Sequence, residues 1–130
     1  MSLRPISIET DRLARVAVDS AIAVHRELGP GLLESVYEAC LCHELARRKV
    51  PWQSQVTLPI VYDGLRLESG LRLDLLVGDA VIVEIKAVEA LLPLHEAQLL
   101  TDLKLSGKRV GLLINFNVRA LKDGMRRFVL

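Results

Sequence analysis

Between residues 71 and 86 the chain puts Arg72, Asp74, Glu84 and Lys86 into two runs, LRLDLLV and VIVEIK, that otherwise suit a sheet interior. A charge in such a run costs several kcal/mol, on the order of the penalties for buried ions, unless it is paired, hydrogen-bonded or bound to a metal. Two carboxylates beside a lysine can do recognisable chemistry. Their hard oxygens suit Mg²⁺ or Mn²⁺, and hydrolysis of a phosphodiester needs a positioned water and a cation that spreads phosphoryl charge. A lysine beside two acids stays protonated, which favours electrostatic stabilisation over a general-base role for Lys86. The bland alternative is a wet face on which Arg72 neutralises Glu84 and Asp74 neutralises Lys86 along the diagonals. Spacing alone leaves both readings open.

The strands that carry these residues must first fix their register. Leu71, Leu73, Leu75 and Val77 alternate with charged or apolar neighbours, as do Val81, Val83 and Ile85. Opposite residues of an antiparallel pair share a face. A three-residue loop, Gly78-Asp79-Ala80, pairs Val77 with Val81, Leu75 with Val83 and Leu73 with Ile85, which makes one face wholly apolar. The same register sets Asp74 opposite Glu84 with both carboxylates on one face, and Arg72 opposite Lys86. Like charges in those positions repel, so a cation between the acids becomes the sharper expectation.

Around this hairpin the pattern predicts a helix from about Ser7 to Leu28, with Leu13, Val16, Ala17, Ser20, Ala21 and Val24 inward, stopped by Gly29-Pro30-Gly31. A second helix is expected from about Leu33 to Arg48, with Leu33, Val36, Tyr37, Cys40, Leu41 and Leu45 inward. Extended chain follows from Gln53 to Tyr62, an Asp63-Gly64 hairpin turn, and strands near 65–69, 71–77 and 81–88. A third helix from about Leu94 to Leu105 leads to a last, buried strand at Arg109 to Phe116. Strand, helix, strand implies a parallel crossover. The fold class is α/β: a mixed sheet with an antiparallel hairpin, flanked by helices.

The chain has 130 residues, 51% hydrophobic, with a formal net charge of +1. This excludes a disordered chain and points to one compact domain over 1–130. No apolar run approaches the roughly 20 residues of a membrane span, and the N-terminal stretch MSLRPISIETDRLAR lacks the apolar segment of a leader. Cys40 and Cys42, two apart on one helix, form neither a disulfide framework nor a metal clip and suit a reducing compartment. A cytoplasmic protein is expected. The basic clusters Arg47-Arg48-Lys49, Lys108-Arg109 and Arg126-Arg127 read as solvated surface. A chain this apolar is also a candidate homodimer, through its sheet edge or its N-terminal helix.

Asp74 followed by Glu84-x-Lys86 resembles the signature of the PD-(D/E)xK nuclease superfamily. GLLESVY at 31–37 fits the motif of the GxxExxY proteins through Gly31, Glu34 and Tyr37, and RLDLLV, VIVEIKAVEAL, HEAQLLTDLKLSG and GLLINFN look like the same family. The resemblance runs from about Ala21 to Phe128 and implies a restriction-endonuclease-like core and a nuclease of DNA or RNA that uses Mg²⁺ or Mn²⁺. It implies metal-binding roles for Asp74 and Glu84, and for Glu34 through water. Lys86 would orient the attacking water, and Gln98 would match the glutamine of a Gln-x-x-x-Tyr element. Here Asp102 stands where that element has tyrosine. Taken on residue chemistry, Arg72 and His95 are candidate phosphate contacts. Glu34 is equally explained by the helix dipole, and His95, Gln98 and Asp102 by a solvated helix stripe, which instead lines the site if that helix covers the charged face of the hairpin. The rival function is a non-catalytic nucleic-acid-binding or assembly module that keeps the fold; near-neutral charge and 4% aromatic content favour it.

Overall fold

The structure is a computed structural model and describes residues 4–130; residues 1–3, the start of the stretch read for a leader, lie outside it. Its elements run α1 (Ile8–Leu28), α2 (Glu34–Arg47), β1 (Trp52–Tyr62), β2 (Leu65–Val77), β3 (Val81–Lys86), α3 (Pro93–Ser106), β4 (Val110–Asn115), a 3₁₀ turn (Leu121–Gly124) and β5 (Met125–Val129). The five strands form one sheet in chain order, parallel between β3 and β4 and antiparallel elsewhere. The α/β class, both early helices and the parallel crossover are as the sequence predicts. The two expected strands 65–69 and 71–77 are one.

Local chemistry explains the boundaries. The Ser7 hydroxyl accepts from Thr10 N (3.0 Å) and caps α1. Asp63 and Gly64 both have positive φ, 48° and 81°, the geometry of the tight hairpin turn that joins β1 to β2. Gly78 and Asp79 repeat it at 57° and 56°, and Ala80 N donates to Val77 O (3.1 Å), so the loop before β3 closes as expected.

Two apolar cores sandwich the sheet. Leu13, Ala17, Ala21 and Val24 of α1 and Tyr37, Leu41 and Leu45 of α2 pack on one face, against Leu75, Val77, Val81, Val83, Ile85, Leu112 and Ile114. Leu99 and Leu103 of α3 pack on the other, against Leu73, Leu76, Ile82 and Leu113. Gly111 of β4 permits that second contact: a Cβ there would fall 2.8 Å from Leu99 Cδ1.

Three expectations are corrected. The sheet does not end at 116, because Met125–Val129 adds an antiparallel edge strand. Leu33 is 72% and Val36 37% exposed; Leu33 caps α2 from outside its helical turns, so helical spacing does not govern its side chain. Leu73 leaves the face of Leu75 and Val77, for a reason found in the site itself.

Candidate functional site

The ladder between β2 and β3 pairs Val77 with Val81, Leu76 with Ile82 and Leu75 with Val83, and stops there. One residue farther on, side chains replace it. Ile85 N donates to Asp74 Oδ2 (2.9 Å), and Asp74 N donates to Glu84 Oε1 (3.4 Å). The two strands part into a seam, and the acids fill it.

The alternation breaks at the same place. Leu75 and Val77 belong to the core under α1 and α2, Leu73 to the core under α3. A regular strand keeps residues two apart on one face, so the switch marks a bulge-like irregularity at Asp74. On β1 its facing residue, Gln55, has φ 53° and drops out of the pairing between Ser54–Leu75 and Val56–Leu73. The expected Leu73–Ile85 and Arg72–Lys86 pairs and the single apolar face from Leu71 to Val77 are therefore corrected. Asp74 and Glu84 are not partners in the ladder; they meet through the Glu84 carboxyl on Asp74 N.

Each acid opens toward a different layer. Asp74 lines a cleft of about 190 Å³ with Glu34, Ser35, Glu38, Gln55, Arg72 and Ile85. Glu84 alternates with buried Val83 and Ile85 and reaches Asp102 of α3, which is only 8% exposed. The Glu84 carboxyl is within hydrogen-bonding reach of both Asp74 and Asp102.

Their electrostatics differ from those of five acids that have basic partners. Glu9, Asp11, Glu44 and Glu68 pair with arginines, and Asp79 with Lys108. Among the described residues no such ion pair reaches Asp74, Glu84 or Asp102. Burial pushes the Glu84 carboxyl up to about 9, and the Asp74 charge adds to the shift. Burial also raises Asp102, against the lowering effect of its bond to Glu84 and of the Lys86 charge. Near neutral pH Glu84 keeps its proton and donates it to a neighbouring acid. Glu38 is raised too, by burial first, with Gln55 and Arg72 acting against it.

A packed group of carboxyls such as this requires positive charge, which a proton or a divalent cation supplies. Its oxygens are hard donors and fit Mg²⁺ or Mn²⁺. Among the described residues no group of three or more His, Cys, Asp or Glu side chains is placed to hold one ion. Asp74 and Glu84 would thus be the protein carboxylates of such a site. Mg²⁺ commonly binds through one or two carboxylates and keeps several waters.

The loops that frame the seam are fastened to β4. Tyr37 is fully buried and stacks on Phe116, with ring centroids 4.5 Å apart. Its hydroxyl donates to Gly29 O (2.6 Å) and accepts from Leu32 N (3.1 Å). Gly31, at φ 98°, donates its N–H to Asn117 Oδ1 (3.1 Å). The glycine and the tyrosine of the 31–37 stretch thereby shape the turn that delivers Glu34 as the first residue of α2. There Glu34 Oε2 accepts from Ala87 N (3.4 Å), one residue beyond Lys86. Lys86 O accepts from Phe116 N, and buried Asn115 holds Val88 with its side-chain oxygen on Val88 N (3.0 Å) and its amide on Val88 O (2.9 Å).

Of the residues singled out by sequence, Asp74, Glu84, Glu34 and Arg72 are brought to the seam or its cleft, and Lys86 ends the strand beside them. Gln98 is exposed on α3 and makes no hydrogen bond to this group. His95 caps α3 by accepting from Leu92 N at Nδ1 (3.0 Å). Sequence reasoning missed Glu38, Gln55 and Asn115 and left Asp102 either on a solvated stripe or lining the site beneath α3; it is buried. The one local signal for Asp102 is its position between Leu99 and Leu103, both fully buried.

The family model of the PD-(D/E)XK nuclease superfamily matches residues 11–128. No curated protein and no solved structure matches the chain.

Proposed function

This chain belongs to the PD-(D/E)XK nuclease superfamily, and from that premise we propose that it is a Mg²⁺- or Mn²⁺-dependent nuclease of the GxxExxY kind, one domain that hydrolyses phosphodiester bonds of DNA or RNA. The observation that carries the proposal is the seam: Asp74 and Glu84 packed together with no basic partner within ion-pair distance among the described residues. Packed together and partly withdrawn from water, these two have little solvent to spread their charge and are left for a proton or another cation.

Asp74 and Glu84 would hold that cation, which when bound supplies charge to offset the phosphoryl oxygens and to ready a water. The Lys86 ammonium stabilises negative charge developing on the phosphate. Glu34, at the mouth of the cleft, holds a water by its carboxylate. Arg72, exposed beside Asp74, is the phosphate contact. Gln98 and His95, on the outer part of α3, take substrate rather than cation.

A second reading has an observation of its own. The cleft sets Glu34, Glu38 and Asp74 against a single cation, Arg72, which suits a module whose phosphate contacts come from a partner. A homodimer fits the same surface economy. The tip of the β1–β2 hairpin exposes Val61, Tyr62, Leu65 and Leu67 by 49–76%, and a monomer by light scattering at high micromolar concentration would remove that idea. No helix is long and apolar enough to cross a membrane among the described residues, and both cysteines are free, as suits the cytoplasm.

The test is cleavage of single-stranded, duplex and branched DNA and RNA with Mg²⁺ or Mn²⁺, with Lys86→Ala as control. Cleavage that needs the metal and is lost in Lys86→Ala supports the nuclease. Binding without cleavage across the panel supports the module.

A further inference from the structure

Asp102 is an acid that the helix around it does not explain. It lies past the first turn of α3, where the dipole would favour a carboxylate, and aspartate is a poor residue for a helix interior. It is 8% exposed, between Leu99 and Leu103 at 0%. Acids are almost never so buried without a partner, and among the described residues Asp102 has no ion pair within reach of the kind the surface acids make.

What it does touch is the seam. Asp102 lies between the α3 residues that pack on Leu73, Leu76 and Ile82, within reach of the Glu84 carboxyl and of the charges of Asp74 and Lys86. Glu84 is thus gripped from two sides, by Asp74 on β2 and by Asp102 on α3. A glutamate has three rotatable bonds, and this double contact selects one position for its carboxyl. Lys86 follows Glu84 by two residues on β3 and shares its face. Asp102 lies near enough to feel the Lys86 charge.

We propose that Asp102 is a positioning residue of the cation site, holding the Glu84 carboxyl and the Lys86 ammonium in place from α3 without itself binding the ion. It stands where the related Gln-x-x-x-Tyr element has an aromatic residue, so this chain fixes its site from the helix side with charge. The inference rests on the nuclease reading. Partners that orient metal ligands are worth about 10–100-fold in affinity when removed.

Calorimetric titration with MnCl₂ at constant ionic strength tests it, on wild type, Asp102→Asn and Asp74→Asn, with melting temperatures in EDTA alongside. Asparagine keeps the shape and can still accept from the Glu84 carboxyl at Oδ1 but loses the charge that faces Lys86. The expected result is an Asp102→Asn protein that melts no lower than wild type in EDTA and binds Mn²⁺ about tenfold or more weaker. A merely structural Asp102 would not move the Mn²⁺ affinity at an unchanged melting temperature. Should the asparagine variant not fold, Asp102→Ser is measured in its place. Affinity within about threefold of wild type in the Asp102 variant, with binding lost in Asp74→Asn, overturns this inference and leaves the nuclease reading standing. Wild type that takes up no Mn²⁺ overturns both.

Discussion

The proton on Glu84 makes a prediction that needs no substrate. Its carboxyl titrates at about 9 in the folded protein against an ordinary 4.5, chiefly because it is buried and next because Asp74 is charged. Unfolding returns it to water, where it ionises. Between the two values the native state therefore holds one proton more than the unfolded state, and stability must fall as pH rises. The slope for one proton is about 1.4 kcal/mol per pH unit. It is absent below the unfolded value, where both states are protonated, and vanishes again above the folded one. From about pH 5.5 to about pH 8 the loss amounts to roughly 3 kcal/mol, a large part of the 5–15 kcal/mol typical of a domain. Burial of Asp102 acts in the same direction. Glu9, Asp11 and Glu44, held low by hydrogen bonds to arginines, act oppositely; their contribution is complete above their unfolded values and lost only in acid. Glu84→Gln keeps the shape and removes the titration. Urea unfolding of both proteins in EDTA at the two pH values should show wild type losing about 3 kcal/mol relative to the variant. Parallel pH profiles for the two would refute the buried proton.

Three further outcomes are expected. Mg²⁺ or Mn²⁺ should raise the melting temperature of wild type, by about 2.7 kcal/mol of stability at a hundredfold excess over Kd. Asp74→Asn, which can still accept from Ile85 N, should equal or exceed wild type in EDTA and gain little from metal; scanning calorimetry that finds no metal effect in wild type counts against the site. Tyr37→Phe keeps the stack on Phe116 but loses both loop hydrogen bonds, at a cost of about 1–3 kcal/mol in urea unfolding; an unchanged midpoint would show that the hydroxyl does not hold the Gly29–Leu32 turn. Gly111→Ala should cost about 1–3 kcal/mol by forcing Leu99 off β4, and a neutral effect would contradict the close approach of α3.

The parts of the fold that sequence revealed are those set by neighbours in the chain. Asp63-Gly64 and Gly78-Asp79-Ala80 declare their turns, and the second turn fixes the Leu75–Val83 pairing by parity. The parts it hid depend on residues far apart. Leu73 changes faces beside Gln55, eighteen positions earlier, whose left-handed backbone nothing in WQSQVTL announces. β5 reads as MRRFV, and two adjacent exposed arginines mask the alternation of an edge strand that borrows its order from β4. In the site, the nearness of Asp74 to Glu84 was legible because a hairpin joins their strands, but not its form, since the ladder stops at Leu75–Val83. The third acid was not. Asp102 comes from another element, and its spacing with His95 and Gln98 gave the polar side of a helix, whereas Gln98 is exposed and Asp102 buried.

The seam also bears on how any loss of activity at Asp74 is to be interpreted. Where β2 and β3 part, the N–H groups of Asp74 and Ile85 lose the partners that a continued ladder would give them. A buried backbone donor without a partner costs about 1–3 kcal/mol, so a split in a sheet interior needs local acceptors. Here the acceptors are the Glu84 and Asp74 carboxyls themselves. The same carboxyls thus close the sheet and carry the ionisable groups of the seam, and the two roles cannot be separated by alanine. Asp74→Ala would leave Ile85 N unsatisfied and let the strands shift, removing activity whether or not Asp74 takes part in the chemistry. Only a substitution that keeps an acceptor while removing the ionisable group tells the roles apart. Asparagine at 74 and glutamine at 84 meet that condition: if both preserve the sheet while Mn²⁺ binding and cleavage disappear, the charge at the seam serves chemistry and the hydrogen bonds serve the fold.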